Sequence, residues 1–94
     1  MMMNHDLTQF SDEAKNLEIL AEECAEVIQI KSKITRFGMY DFNPSKNVLN
    51  RDQLVQELGD VMAMMEILAF NGLFQEWELE QAIERKLNKL KEWY

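Results

Sequence analysis

Apolar residues recur at helical spacing in three stretches, separated by two breaks rich in turn-forming residues. In the first, Leu17, Leu20, Cys24, Val27, Ile28 and Ile34 share one face. At 100° per residue, Ile19, Glu23, Glu26 and Ile30 fall on a strip along the edge of that face. Ser11 is positioned as an N-cap, with Asp12 and Glu13 at the positive end of the helix dipole. The spacing predicts a first helix over residues 12–36 that ends at Phe37-Gly38, with Gly38 in the C′ position. Residues 1–10 carry little pattern beyond Leu7 and Phe10, which are expected to pack on this helix.

Residues 38–49 read as a connecting loop, because Asn43-Pro44 is a turn signal and the residue before a proline avoids helical backbone. Twelve residues is long for a helix–helix connection, where about 2–8 is usual, and Tyr40 and Phe42 make it aromatic. Asn50 with Gln53 has the form of a capping box, which predicts a second helix from there to Phe70, stopped by Asn71-Gly72. Between Val61 and Phe70 the sole polar residue is Glu66. A helix apolar on nearly all sides has to be surrounded by protein. A third helix is predicted over residues 75–93, with Leu79, Ile83, Leu87, Leu90 and Tyr94 in a stripe and Arg85, Lys86, Lys89 and Lys91 near its end. No strand alternation, internal repeat or Gly-rich phosphate loop interrupts this order. The expected fold is all-α, a single domain over residues 1–94 forming an antiparallel helical bundle.

Size changes that picture in one respect. A chain of 94 residues with a hydrophobic fraction of 47% has more apolar surface than three short helices can cover. The bundle is therefore expected to complete its core by homo-oligomerisation. A net charge of −7 argues against nucleic-acid binding, which needs cationic side chains against phosphates. The lone Cys24 excludes an intramolecular disulfide, and its apolar neighbours suggest a buried thiol. Without a signal-peptide pattern or an apolar run long enough for a bilayer, no membrane role is expected and the chain reads as cytoplasmic.

The chemistry concentrates in two carboxylate pairs. Glu23 and Glu26 stand at i, i+3 on the first helix, and Glu57 and Asp60 repeat the spacing on the second. Residues at that spacing share a helix face, and like charges there repel. Each pair is set among Ile, Leu, Val and Met, where an ionised carboxylate is costly unless compensated. On two antiparallel helices with axes ~8–10 Å apart, the four side chains can converge on one point. An all-oxygen ligand set suits Mg²⁺, with Mn²⁺ as a substitute, rather than zinc. Solvated or salt-bridged glutamates are the competing reading. Glu22 is rotated about 100° from Glu23; it either serves a second ion or an attacking water, or is an ordinary solvated glutamate. A di-iron carboxylate site is set aside because it requires helical Glu-x-x-His motifs, and the one histidine, His5, precedes the helices.

The combination Glu22-Glu23-x-x-Glu26 followed by Glu57-x-x-Asp60 on the next helix resembles the all-α nucleoside triphosphate pyrophosphatases of the MazG type, across roughly residues 17–89. The resemblance implies Mg²⁺-dependent cleavage between the α- and β-phosphates of a (d)NTP, giving a (d)NMP and pyrophosphate. It implies Glu23, Glu26, Glu57 and Asp60 as metal ligands, and Glu22 together with Glu23 in the catalytic step. A lysine of the third helix, Lys86 or Lys89, would hold phosphates. Tyr40, Phe42, Phe10 and Trp77 are candidates to receive the base. Phosphoribosyl-ATP hydrolases of this superfamily carry Tyr-His after the second motif, where this chain has Met62, Ala63 and Met64. Pyrimidine-specific dUTPase and dCTPase relatives place Tyr or Asn where Met64 and Met65 stand. The alternative of another class is a catalytically silent helical interaction module with the same fold.

Overall fold

The computed structural model describes residues 5–94, and the reading of residues 1–4 as patternless lies outside them. Three helices account for most of the chain: α1 (Glu13–Phe37), α2 (Asn50–Phe70) and α3 (Glu76–Leu90). The two long helices run antiparallel against each other, and α3 makes few contacts with either.

The N-cap of α1 is Asp12, not Ser11. The Asp12 carboxylate accepts from the backbone N–H of Lys15 at 3.0 Å, satisfying one of the free amides of the first turn. At the far end Gly38 takes φ 102°, a backbone conformation that favours glycine, and its N–H closes the helix on the Ile34 carbonyl at 2.8 Å. The connection that follows is not wholly irregular. Phe42–Asn43 (β1) and Val48–Leu49 (β2) form a two-residue antiparallel ribbon, with Phe42 opposite Leu49. The Asn43 side chain accepts from both N–H and O–H of Ser45, and Asn47 takes the positive φ that the tight turn needs.

The capping box expected at Asn50 does not form. Leu49 occupies the N-cap position and makes no side-chain cap bond. Both candidate capping side chains are instead drawn inside. Asn50 donates to the Gly38 carbonyl at 3.0 Å, and Gln53 is buried in the α1–α2 seam. A reciprocal contact of that kind does occur at α3, where Glu78 Oε1 accepts from the Gln75 N–H at 3.0 Å.

Two polar clasps set how α1 and α2 lie against each other. At one end Asn50 ties the start of α2 to the end of α1. At the other, the amides of Asn16 and Asn71 both donate to the Phe10 carbonyl, at 3.0 and 2.7 Å. Between the clasps the buried apolar residues are Ile30 of α1 (0% exposed), toward the Asn50 end, and Met64, Ile67 and Leu68 of α2, toward the Asn71 end.

The inward strip of α1 is the one that carries Ile19, Glu23, Glu26 and Ile30. The broader apolar face beside it is split: Leu20, Val27 and Ile34 are half-buried, but Leu17 is exposed, Ile28 is 69% exposed, and Cys24 is an exposed thiol rather than a buried one. Helix α2 is likewise two-sided. Val55, Leu58 and Met62 form an outer stripe open to solvent, and the α3 residues Ile83 and Leu87 are exposed too. The radius of gyration, 15.7 Å, exceeds the value of about 13 Å for a compact chain of 100 residues. No described helix is long and apolar enough to cross a membrane.

Candidate metal centre

The antiparallel packing of α1 on α2 brings carboxylates from the two helices together near the middle of the seam. Oxygens of Glu23, Glu57 and Asp60 all lie within 4.8 Å of one another. Helical spacing explains the arrangement. Glu57 and Asp60 occupy successive turns of the α2 face that looks at α1, and Glu23 lies on the α1 strip that looks back. Glu57 is only 9% exposed, Glu23 is half-buried and Asp60 is open to solvent. The cluster therefore has a buried floor and an open mouth.

No ion pair among the described residues reaches these carboxylates; the surface pair Arg51–Asp52, at 3.1 Å, lies elsewhere. The carboxyl of Glu23 is held above its ordinary value of 4.5. Partial desolvation between the helices is the largest cause. The negative charges of Asp60 and Glu57, a hydrogen bond shared with Asp60 and the charge of Glu26 add to it. An uncompensated group of three oxygen donors, partly withdrawn from water, fits a hard divalent cation.

The other expected site residues are placed less closely. Glu26 is half-buried on the same strip and near enough to act on Glu23 through its charge, but its oxygens are not among the three that converge. Glu22 is exposed on the flank of α1. Lys86 rests its ammonium over the Trp93 ring, 5.1 Å from the centroid, and Lys89 is exposed one turn away on the same helix. The aromatic candidates are dispersed rather than gathered. Phe42 lines a small hollow under the ribbon with Lys33, Phe37 and Asn50. Phe10 covers a groove floored by Gly59, Ala63 and Ile67. Tyr40 and Trp77 are exposed, at the ribbon and on α3.

One polar residue of the seam was assigned a different task from the sequence. Gln53, read there as a capping side chain, is buried one turn before Glu57. Its i, i+4 relation to Glu57 and i, i+7 relation to Asp60 were the signal that it shares their face.

No curated protein and no solved structure matches the chain. The family model for the MazG nucleotide pyrophosphohydrolase domain matches residues 11–93, nearly the whole length and both carboxylate motifs. The chain thus belongs to the MazG nucleotide pyrophosphohydrolase family.

Proposed function

We propose that this protein is a divalent-cation-dependent (d)NTP pyrophosphohydrolase, which cleaves between the α- and β-phosphates and releases a (d)NMP and pyrophosphate. The observation that carries this reading is the convergence of Glu23, Glu57 and Asp60 with no ion pair to them among the described residues. In that reading these three hold Mg²⁺, or Mn²⁺ in its place, and Glu26 joins them from the adjacent turn of α1. The bound cation would offset triphosphate charge and make a coordinated water a better nucleophile.

The chain's own residues then divide the remaining work. Glu57, the most buried of the set, fixes the ion to the floor of the seam, and exposed Asp60 meets the substrate side. Glu22, with Glu23, takes the proton of the attacking water from the solvent-facing flank of α1. Lys86 and Lys89 are assigned to the leaving phosphates, which requires Lys86 to exchange the Trp93 ring for an anion. The uncovered stripes of α1, α2 and α3 support a homodimer or homotetramer, and the assembly would be cytoplasmic.

Incubation with each NTP and dNTP in the presence of Mg²⁺ or Mn²⁺ tests the reaction. The expected products are monophosphate and pyrophosphate in equal amounts. Release of orthophosphate, or no turnover across the panel, overturns the proposal. Absence of cation and nucleotide binding would instead mark a silent helical module.

A further inference from the structure

Among the described residues, one buried side-chain polar atom has no hydrogen-bond partner: Oε1 of Gln53. The residue is only 5% exposed. An unpaired acceptor at such a position costs about 1–3 kcal/mol, and native interiors keep few of them. The question is which donor this one awaits.

Its surroundings narrow the answer. Gln53, Glu57 and Asp60 stand at i, i+4 and i+7 on the α2 face turned toward α1. Helical side chains lean toward the N-terminus, so Glu57 is carried back over the turn that Gln53 occupies, with Cβ atoms ~5–6 Å apart. Across the seam, the antiparallel pairing that sets Glu23 against Glu57 and Asp60 brings Glu26 and Ile30 alongside the next turn toward Asn50. Carboxylates accept and Ile30 offers no polar atom. Of the two nearby cations of α1, Lys31 is exposed and Lys33 lines the hollow under the ribbon with Asp41 and Asn50. No described side chain donates to it, which leaves the position open to a donor from outside the chain.

A hard divalent cation supplies one. Mg²⁺ and Mn²⁺ keep several waters when bound by a few carboxylates, and those waters direct O–H groups outward. We propose that Gln53 is an outer-shell partner of the cation site, its Oε1 accepting a hydrogen bond from a water in the hydration shell of the ion held by Glu23, Glu57 and Asp60. This rests on the cation-dependent reading above. An amide is the fitting group for the task. It extends the polar shell into the seam without adding a further negative charge to a cluster that already repels itself.

Mn²⁺ titration of chelator-stripped protein, followed by the electron paramagnetic resonance of the free ion, tests the assignment without substrate. Gln53→Met should weaken Mn²⁺ binding about 10-fold or more, the scale seen when outer-shell partners are removed. Without the ion its melting temperature should equal or exceed that of the wild type, because the orphaned acceptor has gone. Gln53→Glu keeps an acceptor in place and should bind Mn²⁺ at least as well as Gln56→Glu, which adds the same charge at an exposed position on α2. If Gln53→Met fails to fold, Gln53→Asn, which withdraws the acceptor by one methylene, is held to the same threshold. Binding by the Met or Asn variant within twofold of the wild type overturns the outer-shell role and leaves the cation site standing. Equal losses in the Met and Glu variants overturn the acceptor role. A wild type that binds no Mn²⁺ overturns the cation reading itself.

Discussion

Asn16 and Asn71 share one acceptor, the carbonyl of Phe10, although 55 residues separate them in the chain. The first asparagine belongs to the opening turns of α1 and the second caps α2. Their common bond fixes the end of the seam opposite to the Asn50–Gly38 clasp, and the carboxylates lie between the two. Asn16→Ala should remove the bond made by a buried side chain and leave the Phe10 carbonyl with the Asn71 donor alone. A loss of about 1–2 kcal/mol is expected from the urea midpoint, with the urea dependence unchanged. Asn71, at an exposed position, should lose less.

Cation binding and folding should be linked. A ligand that binds only the folded chain stabilises it in proportion to the logarithm of its concentration over Kd. Added Mn²⁺ should therefore raise the melting temperature of the wild type. Glu57→Gln and Asp60→Asn should abolish most of that rise. In chelator the same variants should melt at or above the wild-type temperature, since each removes one of the repelling charges. A rise that persists in both variants would place the ion elsewhere.

The raised carboxyl of Glu23 predicts a pH dependence in chelator. The folded chain holds this proton more tightly than the unfolded chain does, so the stabilisation is fully present below 4.5. It is lost as pH rises through the folded value. The difference in unfolding free energy between wild type and Glu23→Gln should accordingly grow less favourable to the wild type above pH 4.5 and then level off. Mn²⁺ should reverse that slope, because proton and ion compete for the same oxygens. Parallel pH profiles for the two proteins would show that Glu23 titrates normally.

The outer stripe of α2 supplies a test of assembly. Val55, Leu58 and Met62 are exposed at i, i+3 and i+7, and Met62 continues into a groove whose apolar residues, among them Ala69, Phe74, Leu79 and Ile83, are edged by Glu66, Glu76 and Glu80. An apolar surface of this continuity is unusual on a monomer. Light scattering at micromolar concentration should give the mass of two or four copies for the wild type. Met62→Glu should shift it toward the monomer, and a monomeric wild type would remove the oligomer from the account.

Much of this architecture is legible in the sequence where local chemistry has a single solution. Gly38, Asn71-Gly72 and the helical periods place the helix ends within about two residues for α1 and α2, and the paired i, i+3 carboxylates identify the seam. The misreadings have a common cause. Asn50 and Gln53 satisfy the pattern of a capping box, but the pattern does not include the Gly38 carbonyl that captures one side chain or the α1 strip that buries the other. Ser11 and Asp12 are both competent caps, and only backbone geometry chooses Asp12. For Cys24, periodicity reveals an apolar face without saying which edge of it meets α2. The edge containing Glu23 and Ile30 does, and the thiol is left outside. Among the phosphate and base candidates, Lys86 and Trp77 sit on α3, whose position depends on contacts too distant in sequence to be read from spacing.

That outward thiol has a practical consequence. Cys24 is the one cysteine of the chain, it is exposed, and it stands between Glu23 and Glu26. A nitroxide or fluorophore attached there needs no engineered site and reports from within a few ångströms to a helical turn of the carboxylates. Paramagnetic Mn²⁺ would broaden or quench such a label on arrival, so occupancy can be followed optically in real time. Two labelled copies in one assembly would also yield an intersubunit distance, a direct measure of how far apart neighbouring seams are held.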